Sequence, residues 1–273
     1  MHSVPLQFDA PSDRAEFRRP TREGVELYRA HIVRHAFEPH THDAYGIGAI
    51  ESGAERFRYA GSEHVATAGS VVLMHPDMLH TGRAASESGW RYRMIYIEED
   101  RLGEIAGGTW RFPHAVVHGD PALARGVSTL LQTLWQAQEP LAFDSALAEL
   151  IAVLHPYALG PRSARTEARA RFDRVIEYMH AHLGERLRLE DLAAVAQLSP
   201  FHFLRSFRAQ HHATPQQALM ALRLAAAKRR LASGEVPAEV AAATGLADQA
   251  HLTRSFARRY GVTPARYQRQ LRG

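Results

Sequence analysis

Two stretches carry the side chains best placed to hold a ligand: "EPHTHDAYGIG", Glu38 to Gly48, and "GSVVLMHPDMLHTG", Gly69 to Gly82. His40 and His42 are two apart, and residues two apart on a strand share a face. His80, near the end of the second stretch, can join them from a neighbouring strand. Three imidazoles can hold a divalent metal. They can equally line a pocket for a small organic molecule, with Tyr45, Tyr92 and Tyr96 as candidate partners, because Trp90, Tyr92, Met94 and Tyr96 alternate onto one face. Those aromatics are also ordinary material for a barrel core. The chain has 17 histidines, so isolated surface ones are expected too. It has no cysteine, which excludes disulfides, thiolate metal sites and a cysteine nucleophile.

A second set of residues has the chemistry of base recognition, and it occurs twice. "QLSPFHFLRSFRAQHHATP", Gln197 to Pro215, and "GLADQAHLTRSFARRYGVTP", Gly245 to Pro264, share an early leucine, an Arg-Ser-Phe run, basic residues and Thr-Pro. Each reads as the second helix of a helix-turn-helix unit, with Ser199 or Asp248 at its N-cap and Pro200 fitting the first helical position of the earlier copy. Phe203 and Phe207, like Leu252 and Phe256, are four apart and must face the core. Arg205 and Arg208, then Gln249, His251, Arg254 and Arg258, remain near the outer face. Arg and Gln match base edges in a major groove. One such helix reads equally as a solvated surface. Two, joined by the helix around "LMALRLAAAKRRLAS", can enter successive major grooves roughly 34 Å apart.

The elements that must position these residues differ along the chain. Residues 25–98 are rich in β-branched and aromatic residues and punctuated by Gly53, Gly61, Gly69 and Gly89, which predicts an antiparallel barrel or sandwich. Helical periodicity follows over 120–138, through Leu123, Val127, Leu130, Leu131, Leu134 and Trp135, and over 144–158, through Leu147, Leu150, Ile151 and Leu154. Gly160 to Arg171 is small, polar and basic, as a linker is. Seven helices are expected from Phe172 onward. Charge follows the same division: residues 160–273 hold 19 Lys and Arg against 9 Asp and Glu, residues 1–159 only 14 against 20. A basic domain is the electrostatic footprint of a polyanion binder. The chain is 45% hydrophobic and 23% charged, with no apolar run long enough for a bilayer and no signal-like start, so a soluble cytoplasmic protein is expected.

Taken together, "FHFLRSFR", Thr214-Pro215, "RLAAAKRRL" and "EVAAATGLADQAHLTRSFARRYGVTPARY" resemble the DNA-binding domain of AraC-family transcriptional regulators over about residues 172–269. The resemblance implies seven helices with two helix-turn-helix units. By it the base-facing positions are Phe201, Leu204 and Arg205 in the first unit and Gln249, Ala250, His251 and Arg254 in the second. Phe201 and Leu204 are apolar, so the first helix is expected to read thymine methyls and groove shape. Leu246 stands where the family commonly has Phe, a difference expected to affect packing only.

The histidine stretches resemble the two cupin motifs, and AraC-type sensor domains use that barrel. Metal cupins generally supply a carboxylate soon after the paired histidines. Here Asp43 alternates away and no Glu follows, so no metal cofactor is expected; a divalent metal at His40, His42 and His80 is the lesser alternative.

The expected architecture is α+β and multidomain. A cupin-like effector-binding β-barrel takes residues 1–118, including an N-terminal arm to about residue 24. A helical dimerisation segment takes 119–160, a linker 161–171, and an all-α DNA-binding domain 172–273. The expected function is that of a ligand-responsive regulator, by default an activator, with double-stranded DNA, a small-molecule effector, a second copy of the chain and RNA polymerase as partners and no membrane. The alternatives are a cupin metalloenzyme and a ligand-independent DNA-binding protein. Alkyl-transfer repair proteins with this helical domain need a methyl-accepting cysteine, which is absent.

Overall fold

The structure, a computed structural model, describes residues 12–20, 22–106, 108–158 and 167–272, the side chains of 167–170 excepted. The first half is a β-barrel: β1 Arg14–Arg18, β2 Val25–Ile32, β3 Phe37–His40, β4 Ala44–Tyr59, β5 Ser62–Thr67, β6 Val71–Met74, β7 His80–Ala84, β8 Trp90–Glu98 and β9 Val116–Val117. One face runs β1-β2-β8-β4-β6-β9, the other β3-β7-β4-β5, with every pairing antiparallel. β4 belongs to both faces. Its first half pairs with β6 and β8 and its second with β5 and β7, and the change falls at a register shift between Ile50 and Ser52. A bulge of this kind bends a strand and strengthens its twist.

Two segments expected to be irregular or unassigned are ordered. Arg14–Arg18, placed in an N-terminal arm, is an edge strand. It is tied down by Asp13, whose buried carboxylate accepts hydrogen bonds from the backbone N–H groups of Val33, Arg34 and His35. Residues 1–11 of the expected arm lie outside the described residues. α1, Glu99–Ala106, continues directly from β8 with Glu99 and Asp100 in its first turn, where acidic side chains favour the helix dipole.

Strand alternation sorts the barrel into two cores. Val25, Leu27, Tyr45, Ile47, Ile95 and Ile97 face outward onto α2, Pro121–Gln136, and α3, Pro140–Leu154. Tyr28, Ala30, Ile32, Trp90, Tyr92 and Met94 face the interior. The apolar faces of α2 and α3 are therefore consumed within the chain: Val127, Leu134, Leu150 and Leu154 have no exposure. This corrects the expectation that those faces are larger than the barrel needs. Leu141, 78% exposed, is the large apolar residue that α3 leaves outside.

The second half is helical: α4 Glu167–Ala181, α5 Leu189–Val195, α6 Pro200–His211, α7 Pro215–Ala232, α8 Pro237–Ala243, α9 Gln249–Tyr260 and α10 Pro264–Arg272. α4 begins inside the stretch expected to be linker, and residues 159–166 lie outside the described residues. Ser199 and Asp248 cap α6 and α9 through the N–H groups of His202 and His251. Thr214 and Gln217 form a reciprocal capping box on α7. At 18 residues α7 is about 27 Å long, a strut between the two helical pairs. Phe203, Phe207, Leu252 and Phe256 are fully buried, and Leu246 is buried too.

The two pairs do not share one core. Phe203 and Phe207 pack with α4, α5 and the front of α7. Leu252, Phe256, Tyr260 and Tyr267 join the cluster that fills the barrel interior. The second pair is thereby docked on the barrel mouth: β3 packs against α7 and α9, and β1 against α10.

Gly53, in β4 just past the register shift, has a φ of +72°, and an added Cβ would lie 1.9 Å from the carbonyl oxygen of Gly89. Gly53→Ala is expected to lower stability by on the order of 1–3 kcal/mol through this strain, read as a lower urea midpoint at unchanged slope.

Candidate functional site

Strand register brings two of the histidines together, and the connection after β3 adds the third. His40 and His80 are directly opposite in the β3–β7 pair, and His42 follows two residues after His40. Their ring centroids are 4.2 Å (His40–His80), 5.0 Å (His40–His42) and 5.2 Å (His42–His80) apart. One ring nitrogen of each lies within 4.8 Å of the other two. His40 Nδ1 is 2.8 Å from the carbonyl oxygen of Glu38, and His80 Nδ1 is 2.9 Å from that of Met78. A carbonyl only accepts, so in both rings Nδ1 is the donor and Nε2 of the neutral ring carries a free lone pair. Burial, reinforced by the neighbouring rings, holds the pKa values of His40 and His42 well below the usual imidazole range; burial brings that of His80 down to about 4.

These rings line a small cavity of about 40 Å³ that opens at the barrel mouth into about 470 Å³ of space continuous with solvent. Tyr92, Tyr96, Met74 and Met94 form its barrel wall, as the alternation of β8 predicts. The ring of His42 lies 4.2 Å from that of Tyr96. Gly48 keeps this wall open for Met94, because a Cβ there would fall 1.9 Å from the Met94 sulfur. Tyr45 is a correction: it lies outside the pocket. It pairs in register with Ile97, whereas the adjacent Gly46 pairs with Tyr96, so Tyr45 has the outward parity. Its hydroxyl donates to the carbonyl of Trp110 under the helical layer.

The rest of the pocket lies beyond the expected residues. Glu55, on the second half of β4, is 8% exposed, and burial raises its carboxyl pKa to about 8. Arg259 and Tyr260, from the last turn of α9, close the mouth. The Arg259 side chain is 4% exposed, and its Nε and Nη1 have no hydrogen-bond partner among the described residues. Tyr260 stands 6.2 Å, ring to ring, from both His40 and His42. Beside the mouth, Lys228 of α7 pairs with Glu26 of β2 beneath the rings of Phe17, Tyr96, Tyr260 and Tyr267, 4.8 to 5.6 Å away. The Tyr267 hydroxyl donates to the other Glu26 oxygen at 2.6 Å. No local pattern in the sequence announces these contacts, because they join residues some 200 positions apart.

The other candidate residues sit on the opposite side of the helical pairs. Phe201 is 71% exposed, Arg205 is exposed and Leu204 half-buried on α6. On α9, Gln249, Ala250 and Arg254 are exposed and His251 half-buried. Both sets lie in the first two turns of their helices, clear of the buried phenylalanines.

The Glu55 carboxyl gives the site a pH signature. Its protonated form is favoured by folding, so stability is fully present below the unfolded pKa near 4.5 and is lost as pH rises through about 8. In chelator-treated protein, Glu55→Gln is expected to flatten the fall in melting temperature between pH 5 and 9, leaving the variant the more stable of the two at the alkaline end; calorimetry across that range checks it.

Comparison with known proteins agrees with this division. The family model described as AraC-like ligand binding domain matches residues 23–155, and that described as helix-turn-helix domain matches residues 192–270. The chain is 27% identical over 235 residues to the uncharacterised HTH-type transcriptional regulator YbfI of Bacillus subtilis (strain 168), covering 84% of this chain and 86% of that one. It is 23% identical to the HTH-type transcriptional activator RhaS of Klebsiella pneumoniae (strain 342), covering 85% and 88%. Its fold is that of ToxT from Vibrio cholerae O395, with a TM-score of 0.56 at 12% identity over 96% of this chain and 99% of that one. With a ligand-binding barrel and paired helix-turn-helix units both accounted for, the chain belongs to the AraC family of transcriptional regulators.

Proposed function

We propose that the pocket at the barrel mouth takes a small anionic effector, and that its occupancy sets how α6 and α9 are presented to DNA. A single observation carries this reading. Arg259 and Tyr260, which close the pocket, belong to the same helix as Gln249, Ala250, His251 and Arg254. A buried guanidinium with unpartnered N–H groups is costly unless an acceptor reaches it. A carboxylate or similar oxyanion entering the pocket supplies that acceptor, while Tyr92, Tyr96, Met74 and Met94 contact its apolar part.

The effector site as proposed comprises His40, His42, His80, Tyr92 and Tyr96 from the barrel, joined by Arg259 and Tyr260. Because α9 completes the pocket, a barrel fragment ending near residue 160 lacks two of the groups that would hold the ligand; the full chain is the proper object of a ligand screen. The DNA-reading set is Phe201, Leu204 and Arg205 with Gln249, Ala250, His251 and Arg254. In α6 the exposed Phe201 suits thymine methyls and groove shape; in α9 Gln249 and Arg254 suit hydrogen-bonded base edges.

The reading contains no catalytic step. It places the protein in the cytoplasm, consistent with the absence, among the described residues, of any helix long and apolar enough to cross a membrane. Activation goes with the likeness to the transcriptional activator RhaS, and RNA polymerase is its proposed partner. A homodimer would have to use surface other than the buried faces of α2 and α3.

Two measurements test the proposal. Arg254→Ala is expected to cost about 1–3 kcal/mol on the preferred operator and to relax preference at one base pair; an equal loss on every sequence would assign the residue to phosphate alone. A thermal-shift screen of small carboxylates against the full chain should yield a ligand that raises the melting point and changes operator affinity. Arg259→Gln should remove that response while leaving ligand-free operator binding intact. A response undiminished in this variant would overturn the proposed role of α9 in the pocket.

A further inference from the structure

We propose that the effector is zwitterionic: a short apolar chain with a carboxylate at one end, held by Arg259, and an ammonium group at the other, held by Glu55. This deepens the anionic reading of the pocket and rests on it.

The pocket contains two ionisable groups that the fold leaves uncompensated. Arg259, with Nε and Nη1 unpartnered among the described residues, is one. The other is Glu55, buried and lining the same pocket. Burial is the whole cause of its raised carboxyl pKa, and neither a hydrogen bond nor a neighbouring charge contributes. A carboxyl in that position is stabilised as the carboxylate by a cation that reaches it. The fold keeps room for the group: an added Cβ at Gly82 of β7 would lie 2.6 Å from Glu55 Oε1.

Had the two groups met, they would form an ion pair and need no ligand. They stand apart, Glu55 on the second half of β4 and Arg259 in the last turn of α9. The charge of Arg259 bears on His40, His80 and Tyr260, and that of Glu55 on Tyr28, Tyr92 and Tyr96. Neither bears on the other. One pocket therefore offers a cationic end at its mouth and an acidic end on the barrel wall. A ligand with a single charge satisfies only one of them.

The wall beside Glu55 suits an ammonium group. Aromatic ring faces attract cations within about 6 Å of the centroid, and Tyr96 already does so from one side, with Lys228 Nζ 5.3 Å from its ring. The cavity is only about 40 Å³ before it opens at the mouth, which limits the ligand to a few carbons between its charges.

Isothermal titration of the full chain, without DNA, tests this with the ω-amino acids from 3-aminopropanoate to 6-aminohexanoate, each beside the unsubstituted alkanoate and the ω-hydroxyalkanoate of the same length. At one length the amino acid should bind about tenfold more tightly than both analogues. Glu55→Gln, which keeps the shape of the side chain, should reduce that preference to about twofold or less while the alkanoate still binds. Alkanoate binding with no gain from the amine, or a hydroxy analogue equal to the amino acid, overturns the zwitterion and leaves the anionic reading standing. Failure of the native chain to bind any carboxylate of the series removes both. An undiminished preference in folded Glu55→Gln overturns the pairing with Glu55. The comparison of ligands uses the native chain, so it decides the matter even if the substitution unfolds the barrel.

Discussion

The contact on which the molecule's organisation depends is the ion pair of Lys228 with Glu26, sealed between barrel and helices. Each partner is only 13% exposed, and the second Glu26 oxygen accepts from Tyr267. Removing one member of such a pair strands the other charge in an apolar setting, at about 3–5 kcal/mol, whereas a matched apolar replacement of both can be neutral. Its value therefore lies in geometry. Lys228 lies on α7, the strut joining both helix-turn-helix units, and Glu26 lies on β2 opposite Tyr96. Fixing one charge against the other fixes the strut against the barrel. Arg229 with Asp43, and Gln270 with the backbone of Ala15 and Phe17, extend the same clasp at its exposed margins.

This docking shortens the path between ligand and DNA. Coupling over a distance needs an intervening element with two arrangements, both biased by the two sites. In the proposed reading, the pocket wall and the DNA-reading residues are opposite ends of one twelve-residue helix, α9. An occupant that touches Arg259 or Tyr260 acts on α9 itself, and the effect is bounded by the occupant's difference in affinity for the docked and undocked arrangements. The first helix-turn-helix unit keeps a separate core around Phe172, Phe203 and Phe207, whereas residues of the second share one with the barrel interior.

Two departures from the sequence reading have the same origin. Tyr45 was expected at a pocket, and the apolar stripes of α2 and α3 were expected to exceed what the barrel needs; they meet each other beneath the barrel's outer face. Periodicity states which residues share a face, and it was right about β8 and about both helices. It does not state which face meets which partner. One residue of parity separates Tyr45 from Gly46, and that single step decides between the helical layer and the ligand pocket.

The sequence by itself determined what local physics controls. Alternation in β8 placed Tyr92, Met94 and Tyr96 together, and the capping residues Ser199 and Asp248 with the spacing of Phe203, Phe207, Leu252 and Phe256 set the second helix of each helix-turn-helix unit. Tertiary structure decided everything that depends on distant segments meeting. It brought His80 opposite His40, carried Glu55 into the pocket on the far half of a bent strand, and roofed the site with Arg259 and Tyr260. Short-range patterns follow from backbone geometry, which every few residues restate. Contacts across 200 residues follow from which apolar surfaces remain to be covered once each domain has folded, and no local period encodes that remainder.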